Sequence, residues 1–246
     1  MLLQRCLVVL VMPSVALGFV GLGMHMPTSV PLMSRAELIK YGGATFATSA
    51  LALPGPSPAE AAEEPEYGAV ERVNNKIYMY AEVSAESCAM IRRAIADATQ
   101  ELQQYTAALS ISHPLRIELH IQSQGGALMP TFGLVDYICR NPVPIDSFID
   151  GYAASAATLI SVSCAKRYAY RNSIMLLHQL SGGASGKFAD IEQQVSNMDL
   201  FMSMIRNIYL DRTAMNRSEI DEVLATDEWF SARVCLEKGI IDEILA

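Results

Sequence analysis

The chain has 246 residues, of which 51% are hydrophobic and 18% charged, so it can build a core and is not disordered throughout. Its net charge of −8 and pI near 5.0 argue against nucleic acid as a partner, because phosphate binding needs a basic face. The five cysteines include no CxxC pair and are too few for a disulfide framework in so long a chain. We expect four of them to be buried small hydrophobic side chains: Cys88, Cys139, Cys164 and Cys235.

Residues 1–65 differ in composition from the rest and are interpreted as a targeting presequence. The apolar run 6–19 is typical of a signal-peptide core and is too short to span a membrane. A second apolar run, 41–61, ends in small residues that suit a signal peptidase. Such a pair of runs resembles plastid presequences, although a disordered leader with one signal is the alternative. We expect a mature domain over 66–246, without a membrane segment, in the plastid stroma or thylakoid lumen, or alternatively in the mitochondrial matrix.

The first half of the remaining chain alternates strand-like and helix-like segments. Residues 76–83 are rich in strand formers, and Ser84 then suits the N-cap of a long helix. The inward positions of this helix are predicted to be Met90, Ile91, Ile95 and Leu102. Residues 115–123 alternate apolar and polar, which predicts a strand that runs into two glycines. A helix follows over 128–140, with Pro130 in its first turn.

The second half continues the same alternation. We predict a strand over 143–149, a small-residue helix over 153–165 and one or two short strands before residue 179. A long amphipathic helix is predicted over 188–215, with its inward face formed by Ile191, Val195, Met198, Ile205 and Ile208. Two shorter helices close the chain, and Gly239 ends the second. Repeated strand–helix units predict a one-domain α/β fold with helices on a mainly parallel sheet.

Two strand-to-helix junctions have the composition of a reactive site. Gly125 and Gly126 directly follow a strand and allow close backbone approach, so their N–H groups can face an anion or a polarised carbonyl. Taken alone, such a pair is more often only a turn. Ser155 begins a helix, where the next N–H can serve as an oxyanion donor. An ordinary capping serine is the alternative.

A serine nucleophile needs a base and an acid that orients the base. His113 lies in a polar loop and is expected to be exposed, and His120 lies on the polar phase of its strand. His178 ends an apolar run before a Gly-rich segment, which suits a cleft, although a structural role is the alternative. Asp227 precedes Trp229 and is expected to be partly desolvated and firmly held; a plain surface acid is the alternative.

These signals together resemble ClpP, the proteolytic subunit of the ATP-dependent Clp protease, from residue 76 to the C-terminus. The motifs that carry the resemblance are "SQGG", "GYAASAATLI", "NSIMLLHQL", "SGGASGKFADIEQQ" and "DEWFSARVCLEKGIIDEI". The resemblance implies a nucleophile at Ser155, a general base at His178 and an orienting acid at Asp227. It places the oxyanion-hole N–H groups at Gly126 and Ala156. The spacings also match: 29 residues from Gly126 to Ser155, 23 to His178 and 49 to Asp227.

The resemblance implies a ClpP/crotonase-type spiral of β-β-α units with a long handle helix, and serine endopeptidase activity. It further implies a homo- or hetero-oligomer of two stacked seven-membered rings, fed with unfolded proteins by an AAA+ unfoldase. No metal or cofactor is expected in this subunit, since the partner uses the ATP. Four departures stand out: Gln124 replaces a proline, Thr226 replaces an arginine that links ring assembly to triad alignment, residues 103–115 lengthen the first helix-to-strand connection, and the segment before residue 76 differs.

Three other functions remain open at this point. The first is a non-catalytic, ClpR-like ring subunit, against which the presence of all three triad residues argues. The second is a crotonase-type acyl-CoA enzyme, which shares the fold and the glycine turn. The third is a Ser–Lys peptidase that uses Lys166 or Lys187, in which His178 would have no role.

Overall fold

One twisted sheet with helices packed on it carries the site. The computed structural model describes residues 68–246. Its strands are β1 (Ala69–Val73), β2 (Lys76–Tyr80), β3 (Ile117–Ser123), β4 (Ile145–Ala154), β5 (Lys166–Tyr170), β6 (Ile174–Leu176), β7 (Trp229–Ser231) and β8 (Glu243–Leu245). Its helices are α1 (Ala85–Leu109), α2 (Leu128–Arg140), α3 (Ala156–Val162), α4 (Phe188–Arg212), α5 (Arg217–Leu224) and α6 (Ala232–Glu237).

The sheet has the order β1-β2-β3-β4-β5-β8, and β6 pairs with the far end of β4. Strands β2, β3, β4, β5 and β8 pair in parallel, whereas β1 with β2 and β6 with β7 are antiparallel. The predicted α/β fold with a mainly parallel sheet is confirmed. The predicted domain limits and the presequence lie partly or wholly outside residues 68–246, so that division remains a prediction.

The core lies between the sheet and helices α1, α2 and α3. Side chains alternate along β3, so that Ile117, Leu119 and Ile121 are fully buried against the helices. On α1, Ile91 and Ile95 are also fully buried, because they lie about one helical turn apart on the same face. Burial of these apolar surfaces is the main stabilising contribution to the part of the fold that positions the site.

Helix α1 begins where the sequence predicts. The Ser84 hydroxyl accepts a hydrogen bond from the Ser87 N–H at 3.1 Å, and the Ser87 hydroxyl accepts one from the Ser84 N–H at 2.8 Å. This reciprocal cap stops the chain from fraying at the first turn. The inward position predicted for Met90 is wrong: its side chain is 44% exposed, because neighbouring Ile91 occupies the core face.

The long helix α4 is exposed over most of its length, so its predicted inward face is largely wrong. Ile205 and Tyr209 are buried, but Val195 is 48% exposed and Phe188, at the start, is 76% exposed. The reason is that α4 packs on α3 and α5, and its buried residues lie only near its C-terminal end. Its N-terminal part therefore presents an apolar surface that no other element within residues 68–246 covers.

Several strand limits differ from the predictions. Strand β2 ends at Tyr80 rather than 83, since Val83 leaves the ladder to form a bridge with Gly126. Strand β4 runs to Ala154 rather than 149, because its far end gains β6 as a partner. Strands β7 and β8 have three residues each and were not predicted. Among residues 68–246, no helix has both the length and the apolar character needed to cross a bilayer.

Three of the four cysteine predictions are confirmed. Cys88, Cys164 and Cys235 are buried, and burial raises the pKa of the Cys235 thiol to about 12. Cys139 is exposed, so its predicted burial is wrong. It follows Ile138 on α2, and one residue turns the helix by about 100°, away from the core face.

Candidate active site

The strand-to-helix turn at Ser155 has an unusual backbone. Ser155 is the single residue between β4 and α3, and it has φ 56° and ψ −126°. A positive φ is uncommon for a residue other than glycine, and such strained conformations cluster at functional sites. The Ser155 side chain makes no capping hydrogen bond with α3. The capping alternative therefore fails, and the hydroxyl is left for another use.

The Ser155 backbone is held on both sides. Its N–H donates to the carbonyl of Leu176 at 2.8 Å, and its carbonyl accepts the N–H of Thr158 at 2.9 Å. The first bond ties the turn to β6, the strand that precedes His178. The same strand thus sets the position of both residues.

The glycine turn lies directly against Ser155. Gly125 has φ 93°, and a methyl group on it would lie 2.6 Å from Ser155 Cβ. Gly126 has φ 147°, and a methyl group there would lie 2.2 Å from the Val83 carbonyl oxygen. The Val83 N–H donates to the Gly125 carbonyl oxygen at 2.8 Å, and the Ala127 N–H donates to the Val83 carbonyl oxygen at 2.7 Å. These two hydrogen bonds fix the turn. Both positions therefore require glycine.

Two backbone N–H groups near Ser155 remain available. Within residues 68–246, neither the Gly126 N–H nor the Ala156 N–H donates a hydrogen bond to a protein acceptor. Both residues line the same cavity of about 250 Å³, as do Ser155 and His178. Unpaired N–H groups that face a cavity can receive a negatively charged oxygen. The apolar part of the wall comes from Leu128, Leu159, Leu180 and Ile205.

His178 reaches the cavity because β6 pairs in parallel with the end of β4, with Leu176 opposite Ala154. The two strands therefore end side by side, β4 at Ser155 and β6 just before His178. The His178 side chain is 20% exposed, so the imidazole has contact with both solvent and the cavity. A strand-end histidine in this position can take a proton from a neighbouring hydroxyl.

Asp227 is near His178 but is loosely placed. Its Oδ1 lies 3.7 Å from His178 Nδ1, beyond normal hydrogen-bond length, and its side chain is 85% exposed. The predicted partial desolvation of Asp227 is wrong. The residue lies in the loop between α5 and β7, and Trp229, which is itself 44% exposed, does not cover it.

The other histidines lie away from this cavity. His113 is exposed, as predicted. His120 lies on the polar phase of β3, as predicted, but it is buried. Its ring stacks between Tyr78 at 4.8 Å and Phe148 at 4.9 Å, and its Nδ1 lies 2.9 Å from Asp150 Oδ2. Aromatic side chains on the neighbouring strands cover it on the outer face of the sheet.

The lysines of the Ser–Lys alternative do not line the cavity. Lys166 lies on β5, where its Nζ pairs with Glu243 at 2.9 Å, and Lys187 is exposed before α4. The ion pair with Glu243 raises the pKa of Lys166, so that side chain is protonated and unsuited to act as a base. In the part of the chain that the structure describes, no three His, Cys, Asp or Glu side chains are grouped to hold a metal ion.

Sequence reasoning missed two residues next to Ser155. The Thr158 hydroxyl lies 2.6 Å from both the Ser155 carbonyl oxygen and the Tyr209 hydroxyl. Thr158 is fully buried and Tyr209 is 2% exposed. The available signal was a polar threonine in a mostly apolar helix, but its partner lies 51 positions away in the chain.

Comparison with known proteins gives a consistent family. The family model for Clp protease matches residues 71–246. Similar curated proteins include the ATP-dependent Clp protease proteolytic subunit 3 of Streptomyces coelicolor, 33% identical over 131 residues, 52% of this chain and 60% of that protein. Subunit 1 of Protochlamydia amoebophila is 31% identical over 129 residues, 51% of this chain and 63% of that protein. The proteolytic subunit of Dehalococcoides mccartyi is 33% identical over 131 residues, 52% of this chain and 66% of that protein.

The chain thus spans between 60% and 66% of the length of these curated relatives.

Proposed function

Because the chain belongs to the Clp protease family, we propose that it is a proteolytic subunit of an ATP-dependent Clp protease, a serine endopeptidase. One observation carries the proposal: Ser155, His178, Gly126 and Ala156 line a single cavity, and the N–H groups of Gly126 and Ala156 are unpaired within residues 68–246. A nucleophile, a base and two oxyanion donors are the minimum set for acyl transfer. Nothing in this set requires a metal or bound cofactor, and the ATP is consumed by a partner.

The reaction begins at Ser155. His178 takes the hydroxyl proton as Ser155 Oγ attacks a peptide carbonyl carbon, and the protonated imidazole then gives the proton to the leaving amine. Water attacks the resulting acyl-enzyme with His178 again as base, which releases the second product and restores the hydroxyl. Asp227 orients the imidazole and stabilises its positive charge. At 3.7 Å, this last contact must shorten in the reacting complex.

The negative oxygen of the tetrahedral intermediate is received by the N–H groups of Gly126 and Ala156. Loss of one such donor typically costs about 10²–10³ in kcat. The walls formed by Leu128, Leu159 and Leu180 favour an apolar substrate side chain beside the bond that is cut.

The partners are a ring of like or related subunits and an AAA+ unfoldase that supplies unfolded proteins. The support for assembly is the apolar surface of α4, where Phe188, Val195 and Leu200 are 76%, 48% and 57% exposed. Uncovered apolar side chains in such a run are typical of an interface between subunits. Two stacked seven-membered rings are the proposed form, in which α4 joins one ring to the other.

The proposed compartment is the plastid, in the stroma or thylakoid lumen, with the mitochondrial matrix as the alternative. The support is the composition of residues 1–65, which lie outside the described part of the chain. Determining the N-terminus of the native protein tests this, since a start near residue 66 is expected. An intact residue 1 in the native protein would contradict the proposed import.

A non-catalytic ring subunit is the second candidate, and the exposed Asp227 is the observation that favours it. An acid that is 85% exposed and 3.7 Å from the imidazole orients it weakly. The two candidates differ in whether Ser155 is reactive in the assembled protein.

The test is labelling of the full chain, alone and assembled with its ring partners, by a fluorophosphonate that reacts with activated serines. We expect covalent labelling of the assembled wild type, loss of label in Ser155→Ala and retention in Ser203→Ala, an exposed serine on α4. Peptide hydrolysis should follow the same pattern. An assembled ring whose wild-type chain takes no label contradicts the enzyme and supports the structural subunit.

A further inference from the structure

The carbonyl oxygen of Ser155 is held by two donors from the same residue. The Thr158 N–H lies 2.9 Å away and the Thr158 hydroxyl 2.6 Å away. A carbonyl oxygen can only accept, so the single proton of the Thr158 hydroxyl is committed to Ser155. The hydroxyl is thereby left able only to accept from its other neighbour.

That neighbour is the Tyr209 hydroxyl, 2.6 Å from Thr158 Oγ1. Because the threonine proton already points to Ser155, Tyr209 must be the donor. Burial raises the pKa of the Tyr209 phenol, so it keeps the proton that it donates. A directed chain of hydrogen bonds therefore runs from Tyr209 through Thr158 to the Ser155 carbonyl.

The direction of this carbonyl matters because of the group on its other side. The Ser155 C=O and the Ala156 N–H belong to one peptide unit, which is planar and trans, so the two point in opposite directions. Holding the C=O toward Thr158 therefore aims the Ala156 N–H toward the cavity. Ala156 lines this cavity together with Ser155 and His178.

The turn also needs such support. Ser155 has φ 56°, and strained conformations of this kind persist only where the surroundings over-determine them. Leu176 fixes the N–H side of Ser155, but the carbonyl side depends on Thr158. Without the threonine hydroxyl, the peptide unit keeps one donor in place of two and gains freedom to rotate.

We infer that Thr158 and Tyr209 are positioning residues that aim the Ala156 N–H at the developing oxyanion through the Ser155–Ala156 peptide unit. This inference rests on the proposed function, because it assigns the two hydroxyls to the same reaction. Neither residue touches the reacting atoms in this role.

The experiment uses Thr158→Val, which keeps the side-chain shape and removes the hydroxyl, and Thr158→Ser, which keeps the hydroxyl and removes the methyl group. Thr158→Val alone leaves the buried Tyr209 hydroxyl without an acceptor, which can destabilise the fold. The double variant Thr158→Val/Tyr209→Phe avoids this, because both polar partners are removed together. Thr99→Val is the matched control, since Thr99 is also buried and its hydroxyl bonds to Asn141 on α2's C-terminal side, away from the site.

For the double variant we expect kcat and the rate of fluorophosphonate labelling to fall by about 10-fold or more, with KM nearly unchanged, since only a transition-state contact is lost. Thr158→Ser should recover most of what Thr158→Val loses, and Thr99→Val should react like wild type. A double variant that reacts as fast as wild type overturns the inference.

Hydrogen–deuterium exchange of peptides that cover residues 155–160 gives a readout independent of activity. We expect faster exchange in the double variant than in wild type or Thr99→Val. If the wild-type chain takes no fluorophosphonate, the proposed enzyme function fails and exchange alone decides the positioning role. In that case, an unchanged exchange rate in the double variant overturns the positioning role of Thr158 and Tyr209.

Discussion

The two ends of the proposed triad are built in opposite ways. Ser155 is fixed by hydrogen bonds on both sides of its backbone, and Gly125 lies so close that a methyl group there would be 2.6 Å from Ser155 Cβ. Asp227 is 85% exposed and 3.7 Å from the imidazole that it should orient. A single chain therefore holds the Ser155 turn firmly but leaves Asp227 loosely held.

The sheet explains the difference. Ser155 and His178 each follow a strand, and parallel pairing of β4 with β6 fixes the two strand ends together. Asp227 follows α5 and precedes a three-residue strand, so few contacts restrict its loop. If this contrast is correct, substitutions in the glycine turn should be severe and substitutions at Asp227 mild.

The largest expected effect is that of Gly126→Ala. The added methyl group would lie 2.2 Å from the Val83 carbonyl oxygen, and φ 147° is unfavourable for alanine. The turn must move, which displaces the Gly126 N–H and should lower kcat by about 10²–10³. Peptide hydrolysis and fluorophosphonate labelling measure this.

Gly133→Ala on α2 is the matched control for Gly126→Ala. A methyl group there would meet only Arg92 Nη1, at 3.9 Å, and alanine is favoured in a helix. Activity and stability should be retained. Equal activity in the two variants would show that the glycine turn is not the rigid part of the site.

A smaller effect is expected at Asp242, a carboxylate that the chain does hold in place. The Arg167 side chain donates to both of its oxygens, at 2.9 and 2.5 Å, and the Arg167 N–H donates at 2.8 Å. Asp242→Asn should lower the free energy of unfolding by about 1 kcal/mol at neutral pH, a value reduced for its partial exposure. Urea unfolding measures this.

The pH dependence of that effect has a definite sign. The Arg167 hydrogen bonds lower the pKa of folded Asp242 below its ordinary value of 3.8. The stabilisation is therefore fully present above 3.8 and is lost as the pH falls through the folded pKa. The difference between Asp242→Asn and wild type should shrink in acid, and a difference that grew in acid would contradict this assignment.

The smallest effect is expected for Asp227→Asn. An exposed ion pair contributes up to about 1 kcal/mol, so kcat/KM should fall by about 5-fold or less and the loss should diminish at high salt. Stability should not change. Glu228→Gln, the neighbouring exposed acid, controls for loss of charge in the loop.

A loss at Asp227→Asn near the 10⁴-fold typical of a buried triad acid would break the contrast between the two ends. It would mean that assembly closes the loop on His178 and covers Asp227. Comparing single chains with assembled rings would then show the change directly, since only the rings should lose activity in Asp227→Asn.

Local patterns predicted most of the elements. The alternation in β3, the Ser84 cap of α1 and the stop at Gly239 depend on neighbouring residues alone, and all three are confirmed. The errors lie where distant contacts decide. β4 is longer than predicted because β6 pairs with it. The burial of His120, which lies on the polar phase of its strand as predicted, also depends on distant contacts, because rings from two other strands cover it.

The sequence by itself determined which groups are available for chemistry: the glycine pair, a serine at a helix start, and a histidine at a strand end. Their order and spacing, together with the resemblance to a family, indicated how they combine. Only the tertiary structure decided how firmly each is held, that Ser155 adopts a strained turn and that Thr158 and Tyr209 support it. Spacing along the chain identifies side chains, but pairing of distant strands and helices sets their orientation and exposure.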